Sequence, residues 1–197
     1  MTELPDRTEL RARLRAARRS IDGPQRDEAE RCINRSLVEL LEREGTASAP
    51  RRRVALSMPT DGEVDLSPSM QELDAAGWEL HLPVVGERRS MQFVPWHPGA
   101  PLGTNRFGIA EPVAGPHRGP AELDVVVLPC VAVDLRGHRL GFGAGFYDRA
   151  LADARGTVLI ATVFEAQVVE RVPVAAHDVP VDIVVTEAAV RRTGVAG

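Results

Sequence analysis

Apolar positions recur at helical spacing through the first forty or so residues, then break into short β-type runs beyond residue 53, so two leading helices and an alternating α/β region are predicted. Asp6-Arg7-Thr8-Glu9 has the character of a capping box and starts a helix from Arg7 to about Ile21. At about 100° per residue, Leu10, Leu14, Ala17 and Ile21 share an arc of about 60°, while Arg7, Arg11, Arg15 and Arg18 occupy an adjoining arc of about 80°. Arginines that border the packed stripe either form a solvated edge or point into a crevice beside the body. Gln25 to Glu44 predicts a second helix, with Ala29, Ile33, Leu37, Leu40 and Leu41 on one side.

Strands are predicted at Val54 to Ser57, at Glu79 to Val85 ending near Pro83, at Met91 to Val94, at Val125 to Leu128, at Thr157 to Phe164 and at Ile183 to Thr186. Leu66, Met70 and Leu73 mark a helix closed by Gly77. Pro95 to Gly119 is rich in Pro, Gly and His and reads as a long surface connection and binding loop. The pattern is that of an α/β fold with a mostly parallel central sheet flanked by helices, and 197 residues suit one domain.

Composition removes several mechanisms. All 24 basic residues are arginine, so Schiff-base chemistry and the lysine-dependent P-loop are excluded, and any anion must be met by guanidinium or backbone. The net charge is −4, but residues 1–53 carry 13 Arg against 10 acidic residues, so the positive end is the N-terminal end. Cys32 and Cys130 lack metal-type spacing and are expected as buried thiols. The longest nearly apolar stretch, Leu123 to Val133, contains Asp124 and Pro129 and falls far short of the roughly 20 residues of a membrane span. With no signal-like N-terminus, a cytoplasmic protein is expected.

The segment Arg139-Leu140-Gly141-Phe142-Gly143-Ala144-Gly145-Phe146-Tyr147-Asp148-Arg149 places three alternating glycines before a helix expected to reach about Ala154. Glycines let backbone N–H groups approach an anion, and Arg139 and Asp148 set a cation and a carboxylate at the two ends of the loop. That order suits phosphate with magnesium. It is not the GxGxxG dinucleotide fingerprint, whose third glycine would fall at Phe146.

This segment resembles the RLGYGGGYYDR stretch of 5-formyltetrahydrofolate cyclo-ligases, also called methenyltetrahydrofolate synthetases. The resemblance extends to Arg7-Thr-Glu-Leu-Arg11, Gly62-Glu63-Val64-Asp65, Phe107-Gly-Ile-Ala-Glu-Pro112, Gln167, and the run from Val172 through Asp178 to Asp182 and Glu187. It covers essentially the whole chain, in order. It implies a single three-layer domain of the cyclo-ligase (NagB/RpiA/CoA transferase-like) type that uses Mg²⁺ and ATP to convert 5-formyltetrahydrofolate to 5,10-methenyltetrahydrofolate.

The resemblance further implies an ATP site formed by Arg7, Arg11, Arg139 and the loop Leu140, Gly141, Phe142, Gly143, Ala144, Gly145, Phe146 and Tyr147. It implies a folate site formed by Arg11, Leu56, Glu63, Phe107 and the loop from Phe142 to Phe146. Glu63, Arg139 and Tyr147 would be catalytic, and Asp148 and Asp178 would hold magnesium. Read without the resemblance, Glu63 is a solvated turn carboxylate and Asp178 a turn aspartate. The chain departs from the family pattern at Arg7, where lysine is common, at Leu66, Val133, Phe142 and Phe146, and at Ala144, where a left-handed backbone would cost about 1–2 kcal/mol. The alternatives are a nucleotide- or RNA-binding module of the same fold without turnover, which the net negative charge disfavours for nucleic acid, and a sugar-phosphate enzyme of similar architecture. No membrane partner is expected, and a monomer is preferred over a homodimer.

Overall fold

The computed structural model describes residues 6–48, 52–87 and 90–194. Four helices are named α1 (Arg7–Arg19), α2 (Gly23–Ser48), α3 (Ser67–Ala75) and α4 (Phe146–Leu151). The strands are β1 (Arg53–Ala55), β2 (Glu79–Val85), β3 (Met91–Pro95), β4 (Leu102–Thr104), β5 (Ala110–Pro112), β6 (Val125–Pro129), β7 (Ala132–Asp134), β8 (Arg139–Leu140), β9 (Val158–Thr162), β10 (Val168–Val169), β11 (Ile183–Val185) and β12 (Val190–Arg192).

Seven strands form the main sheet in the order β12-β11-β9-β6-β1-β2-β3. β2, β1, β6, β9 and β11 run parallel, and an antiparallel strand closes each edge. A sheet with both faces covered needs apolar residues in both directions, and β6 shows it residue by residue. Val125 and Val127 pack with Ile33, Leu37, Leu41, Met70 and Leu73 from α2 and α3. Val126 and Leu128 face the opposite core, which contains Leu151 of α4, Leu159 and Val184. A third cluster joins Leu10 and Leu14 of α1 to Val131, Ala132 and Leu140, so α1 lies over the small sheet β10-β7-β8.

The helix signals act as read. The Asp6 side chain accepts from the N–H groups of Thr8 and Glu9, capping α1, and Gly77 follows α3 with a φ of +83°. Pro83 sits inside β2 because β1 pairs only as far as His81, leaving no ladder bond on that side for the missing N–H. The first strand is shorter than expected, ending at Ala55, after which the chain turns out of the sheet. α4 stops at Leu151 rather than Ala154, where the chain turns through Gly156 with φ +80°. The Pro95 to Gly119 connection holds the hairpin β4-β5, and three-residue or shorter pairings make the β10-β7-β8 sheet and β12. Cys130 is buried as expected, but Cys32 is only half-buried, on a side of α2 turned from the core, and both thiols are free. Among the described residues, no helix is long and apolar enough to cross a membrane.

Candidate active site

Successive connections run from β1 to β2 on one side and from β6 through β9 to β11 on the other, so the strand order reverses between β1 and β6. In open α/β sheets the crevice beyond the carboxyl ends of strands at such a reversal is where ligands bind. Here that crevice is a cavity of about 410 Å³. The residues after β1 (Ser57, Met58, Thr60, Asp61, Glu63), the ends of β2 and β6 (Pro83, Val85, Pro129) and the glycine loop line it. Arg7, Arg11 and Arg15 of α1 close one side and Asn105, Phe107 and Ile109 the other.

The structure gathers nearly all of the expected site residues around this one cavity. Arg7, Arg11, Glu63, Phe107, Arg139, Gly141, Phe142, Gly143, Ala144, Gly145, Phe146, Tyr147, Asp148 and Asp178 all line the cavity. Two do not. Leu56 is buried in the core under α2 and α3, since it points inward where Ser57 and Met58 point to the cavity. The Leu140 side chain packs between α1 and the small sheet, and its carbonyl accepts from the Val131 N–H.

Glycine is required in the loop where backbone and guanidinium meet. Gly143 has φ +107°, and a Cβ there would sit 3.7 Å from the Arg11 guanidinium carbon. Arg11 Nε donates to the Gly141 carbonyl at 2.8 Å, which ties α1 to the loop. Gly145 is left-handed with φ +68°. Ala144 is not among the residues with positive φ, so its Cβ brings no left-handed strain. Phe142 lies over both Arg15 and Arg18, 5.5 and 5.6 Å from ring centre to guanidinium carbon. Phe107 meets Phe146 edge to face at 5.5 Å.

The two carboxylates at the far end of the cavity are each held by an arginine. Asp148 Oδ1 accepts from Arg139 Nη1 at 2.7 Å and from the Val179 N–H. Asp178 pairs with Arg7 at 2.9 Å, accepts from the Ala175 N–H, and is held below the usual carboxylate range by Arg7 and that amide against the opposing effect of burial. It therefore has the turn geometry that the sequence alone suggested and also faces the site. Burial and the neighbouring Arg7 lower the proton affinity of Arg11.

Glu63 is not solvated. It sits 5% exposed on a turn in which its N–H donates to the Thr60 carbonyl and its Oε2 accepts from the Thr60 N–H at 3.0 Å. Asp61 and Gly62, the central residues, have φ of +53° and +78°, the signs a type I′ turn requires. Arg26 of α2 donates to the Gly62 and Glu63 carbonyls, and Asn34 of the same helix donates to the Asp65 carbonyl while accepting from Ser69, so α2 braces the turn. Burial raises the Glu63 carboxyl to about 7. Burial and the nearby Glu63 also raise Tyr147, whose phenol stays protonated. Gln167 donates to the Cys130 and Val131 carbonyls and accepts from the Phe164 N–H, fixing the chain between β6 and β7 beneath the loop.

Of eight buried side-chain nitrogens and oxygens without a hydrogen-bond partner among the described residues, five lie here: Arg139 Nε and Nη2, Arg18 Nε and Nη1, and Glu63 Oε1. Four of the five are guanidinium donors, unmet buried donors are costly, and their concentration beside a glycine loop suits a polar ligand that carries oxyanions. Sequence reasoning missed Ser57, Met58, Asp61, Asn105 and His177 on the wall. Only Asp61 left a signal, the Asp-Gly pair of a tight turn.

The sequence model of the 5-formyltetrahydrofolate cyclo-ligase family matches residues 3–187. The 5-formyltetrahydrofolate cyclo-ligase of Haemophilus influenzae is 30% identical over 186 residues, covering 91% of this chain and 97% of its own. That of Mycolicibacterium smegmatis is 34% identical over 171 residues, covering 78% and 88%. The solved 5,10-methenyltetrahydrofolate synthetase of Aquifex aeolicus superposes with a TM-score of 0.76 at 37% identity, over 97% of this chain and 94% of that one. The synthetase of Mycoplasma pneumoniae shares the fold at the same TM-score of 0.76 and 20% identity, over 93% and 99%.

Proposed function

We propose, for a chain that belongs to the 5-formyltetrahydrofolate cyclo-ligase family, that this cavity converts 5-formyltetrahydrofolate and ATP to 5,10-methenyltetrahydrofolate, ADP and phosphate. One observation carries the reading. The Arg139 guanidinium is 4% exposed on the cavity wall, spends one nitrogen on Asp148, and keeps two buried nitrogens without partners next to the glycine loop. An oxyanion is the ligand that satisfies such a group.

The N5-formyl group is an amide, with a poorly electrophilic carbon and an oxygen that does not leave. Transfer of the γ-phosphoryl of ATP to that oxygen makes it a leaving group. N10 then attacks the formyl carbon, loses its proton, and phosphate departs. Because N10 and the formyl carbon belong to one molecule, the protein's work is positioning and charge neutralisation. Arg7, Arg11, Arg139 and the amides from Gly141 to Tyr147 hold the triphosphate, Glu63 holds the pterin or formyl end, and Phe107 stacks on the pterin. Tyr147, protonated beside Glu63, donates toward the reacting oxygen.

Asp148 and Asp178 offer hard oxygens suited to magnesium, and their adjacency through Val179 puts both at one end of the cavity. Among the described residues no group of three or more His, Cys, Asp or Glu is placed to hold a metal, so such an ion would complete its shell with phosphate and water. When bound it would neutralise phosphate charge. The arginines now paired with these carboxylates are the ones assigned to phosphate, so nucleotide and carboxylate compete for the same guanidinium groups.

The test is purified protein with 5-formyltetrahydrofolate and Mg-ATP, followed by the near-ultraviolet absorbance of the methenyl product. Product that depends on both substrates supports the reading. No product at any magnesium concentration refutes it and leaves a binding module.

A further inference from the structure

Beside Glu63 on the same turn stands a neighbour to which no role has been given, Asp61. We propose that Asp61 is a positioning residue for Glu63: by holding Arg18 through Nη2 it keeps Nη1 beyond hydrogen-bond distance of Glu63, whose carboxyl is thereby kept for the substrate. The proposal rests on the assignment of Glu63 to the substrate side of the cavity.

Arg18 is 0% exposed, and its Nη2 donates at 2.8 Å both to the Asp61 carboxylate and to the Asp61 carbonyl. Its Nη1 lies 3.9 Å from Glu63 Oε1, outside hydrogen-bond range. Neither of those two atoms has another hydrogen-bond partner. Two buried groups of opposite charge thus stand within ion-pair range yet about one ångström from a hydrogen bond that would satisfy both, and leaving that bond unmade costs stability. Something must hold them apart.

Asp61 is placed to do so. Its carboxylate also takes Arg15 Nε at 2.6 Å and a guanidinium nitrogen of Arg19, so three arginines converge on one aspartate. Arg15 and Arg19, with Arg18 behind them, hold its carboxyl down to about 2, which keeps it ionised at any working pH. The Asp61 backbone is left-handed, an uncommon conformation for a residue with a Cβ, and the braced turn maintains it. Phe142 covers the Arg18 and Arg15 guanidinium groups from the loop side.

The groups around the Glu63 carboxyl are Arg18 from α1, Asp61 on its own turn, Tyr147 from α4 and the buried Cys130 thiol after β6, and Arg139 from β8 acts on the same Tyr147 and Cys130. Arg26 of α2 is committed to the Gly62 and Glu63 carbonyls. Burial raises the carboxyl most, Asp61 adds to that rise, and Arg18 opposes it. Removing the Asp61 charge therefore acts twice in one direction, by ending a repulsion and by releasing a cation.

The experiment titrates Glu63 directly in the ligand-free full chain by ¹³C NMR of carboxyl-labelled glutamate, with Glu63→Gln assigning the resonance. The wild-type midpoint is expected near 7. Asp61→Asn is expected to lower it by about 1 pH unit or more, the effect of an opposite charge brought into contact. An unchanged or raised midpoint in Asp61→Asn overturns the proposal. Arg18→Met gives a second decision that does not depend on Asp61→Asn folding. With Arg18 at 3.9 Å but not hydrogen-bonded, this variant is expected to raise the midpoint by about 1 pH unit, the low end of the effect of a nearby opposite charge. A rise of about 3 units would mean that Arg18 is already fully paired with Glu63, and overturns the proposal. The pH profile of kcat/KM for 5-formyltetrahydrofolate should shift in step with the NMR midpoint. Failure of the wild type to cyclise the substrate would count against the function assignment, and the titration would still decide the role of Asp61.

Discussion

Glu63→Gln should make the protein more stable above neutral pH while removing its activity. The carboxyl ordinarily titrates at 4.5 and is raised by burial to about 7 in the fold. Between those values the folded chain keeps a proton that the unfolded chain has released, so stability falls as pH rises from about 4.5 to about 7 and then levels off. At about 1.4 kcal/mol per pH unit, the ionised carboxylate costs the fold about 3 kcal/mol by pH 8. Glutamine carries no charge to bury, and its amide oxygen can still accept from the Thr60 N–H that now donates to Oε2. Urea unfolding of both proteins at pH 4.5 and pH 8 provides the assay. Nearly equal stabilities are expected at the lower pH, and an advantage of about 2–3 kcal/mol for the variant at the higher pH, with unchanged m. Turnover should fall by about 10²-fold or more. An offset that is the same at both pH values would refute the reasoning, because it would show that Glu63 is ionised in the fold as readily as in the unfolded chain.

Arg139→Ala should lower kcat by about 10²–10³-fold, the usual loss on removing a preorganised donor to developing charge; a change of less than about fivefold in steady-state kinetics would take Arg139 out of the chemistry. Gly143→Ala forces a Cβ onto a φ of +107°, in ordinary contact with Arg11, at about 1–2 kcal/mol of backbone strain. Calorimetry should show ATP affinity weakened by about tenfold with cooperative melting preserved, and unchanged affinity would show that the loop backbone does not approach phosphate. Iodoacetamide on the native protein should modify half-buried Cys32 before Cys130, whose thiol burial pushes up to about 12; peptide mass spectrometry showing the reverse order would contradict the burial of Cys130.

Much of this architecture is legible before any coordinates because long elements carry their own period. α1 and α2 repeat apolar residues at helical spacing, and the near-continuous Val125–Leu128 run is the mark of a strand covered on both faces. The short pairings carry no such period. β7, β8 and β10 have two or three residues each, and what makes them strands is the α1 face packed on them through Leu10 and Leu14. β4 and β5 were hidden in a Pro- and Gly-rich connection for the same reason, since a three-residue hairpin is specified by its partner and not by its own sequence. At the site, Leu56 shows the limit of carrying a position over from a motif. It directly precedes two wall residues, but its side chain turns into the core.

The arginine arc of α1 was visible as a pattern, yet its meaning depended on where an acid would stand to meet it. A helix edge with Arg15, Arg18 and Arg19 could have faced water at little cost. What draws the three together is Asp61, distant in sequence and brought close only when the turn after β1 reaches the flank of α1. The lysine-free composition matters at this point. A planar guanidinium can give one nitrogen to a carboxylate and a backbone carbonyl at once while presenting another to a second group, as Arg18 does between Asp61 and Glu63. An ammonium would rotate its three donors toward the nearest oxygens and erase the gap between those two carboxylates. The cation that organises this wall is therefore defined as much by the acceptors it is kept from as by those it holds, and no count of charges along the chain could have shown that.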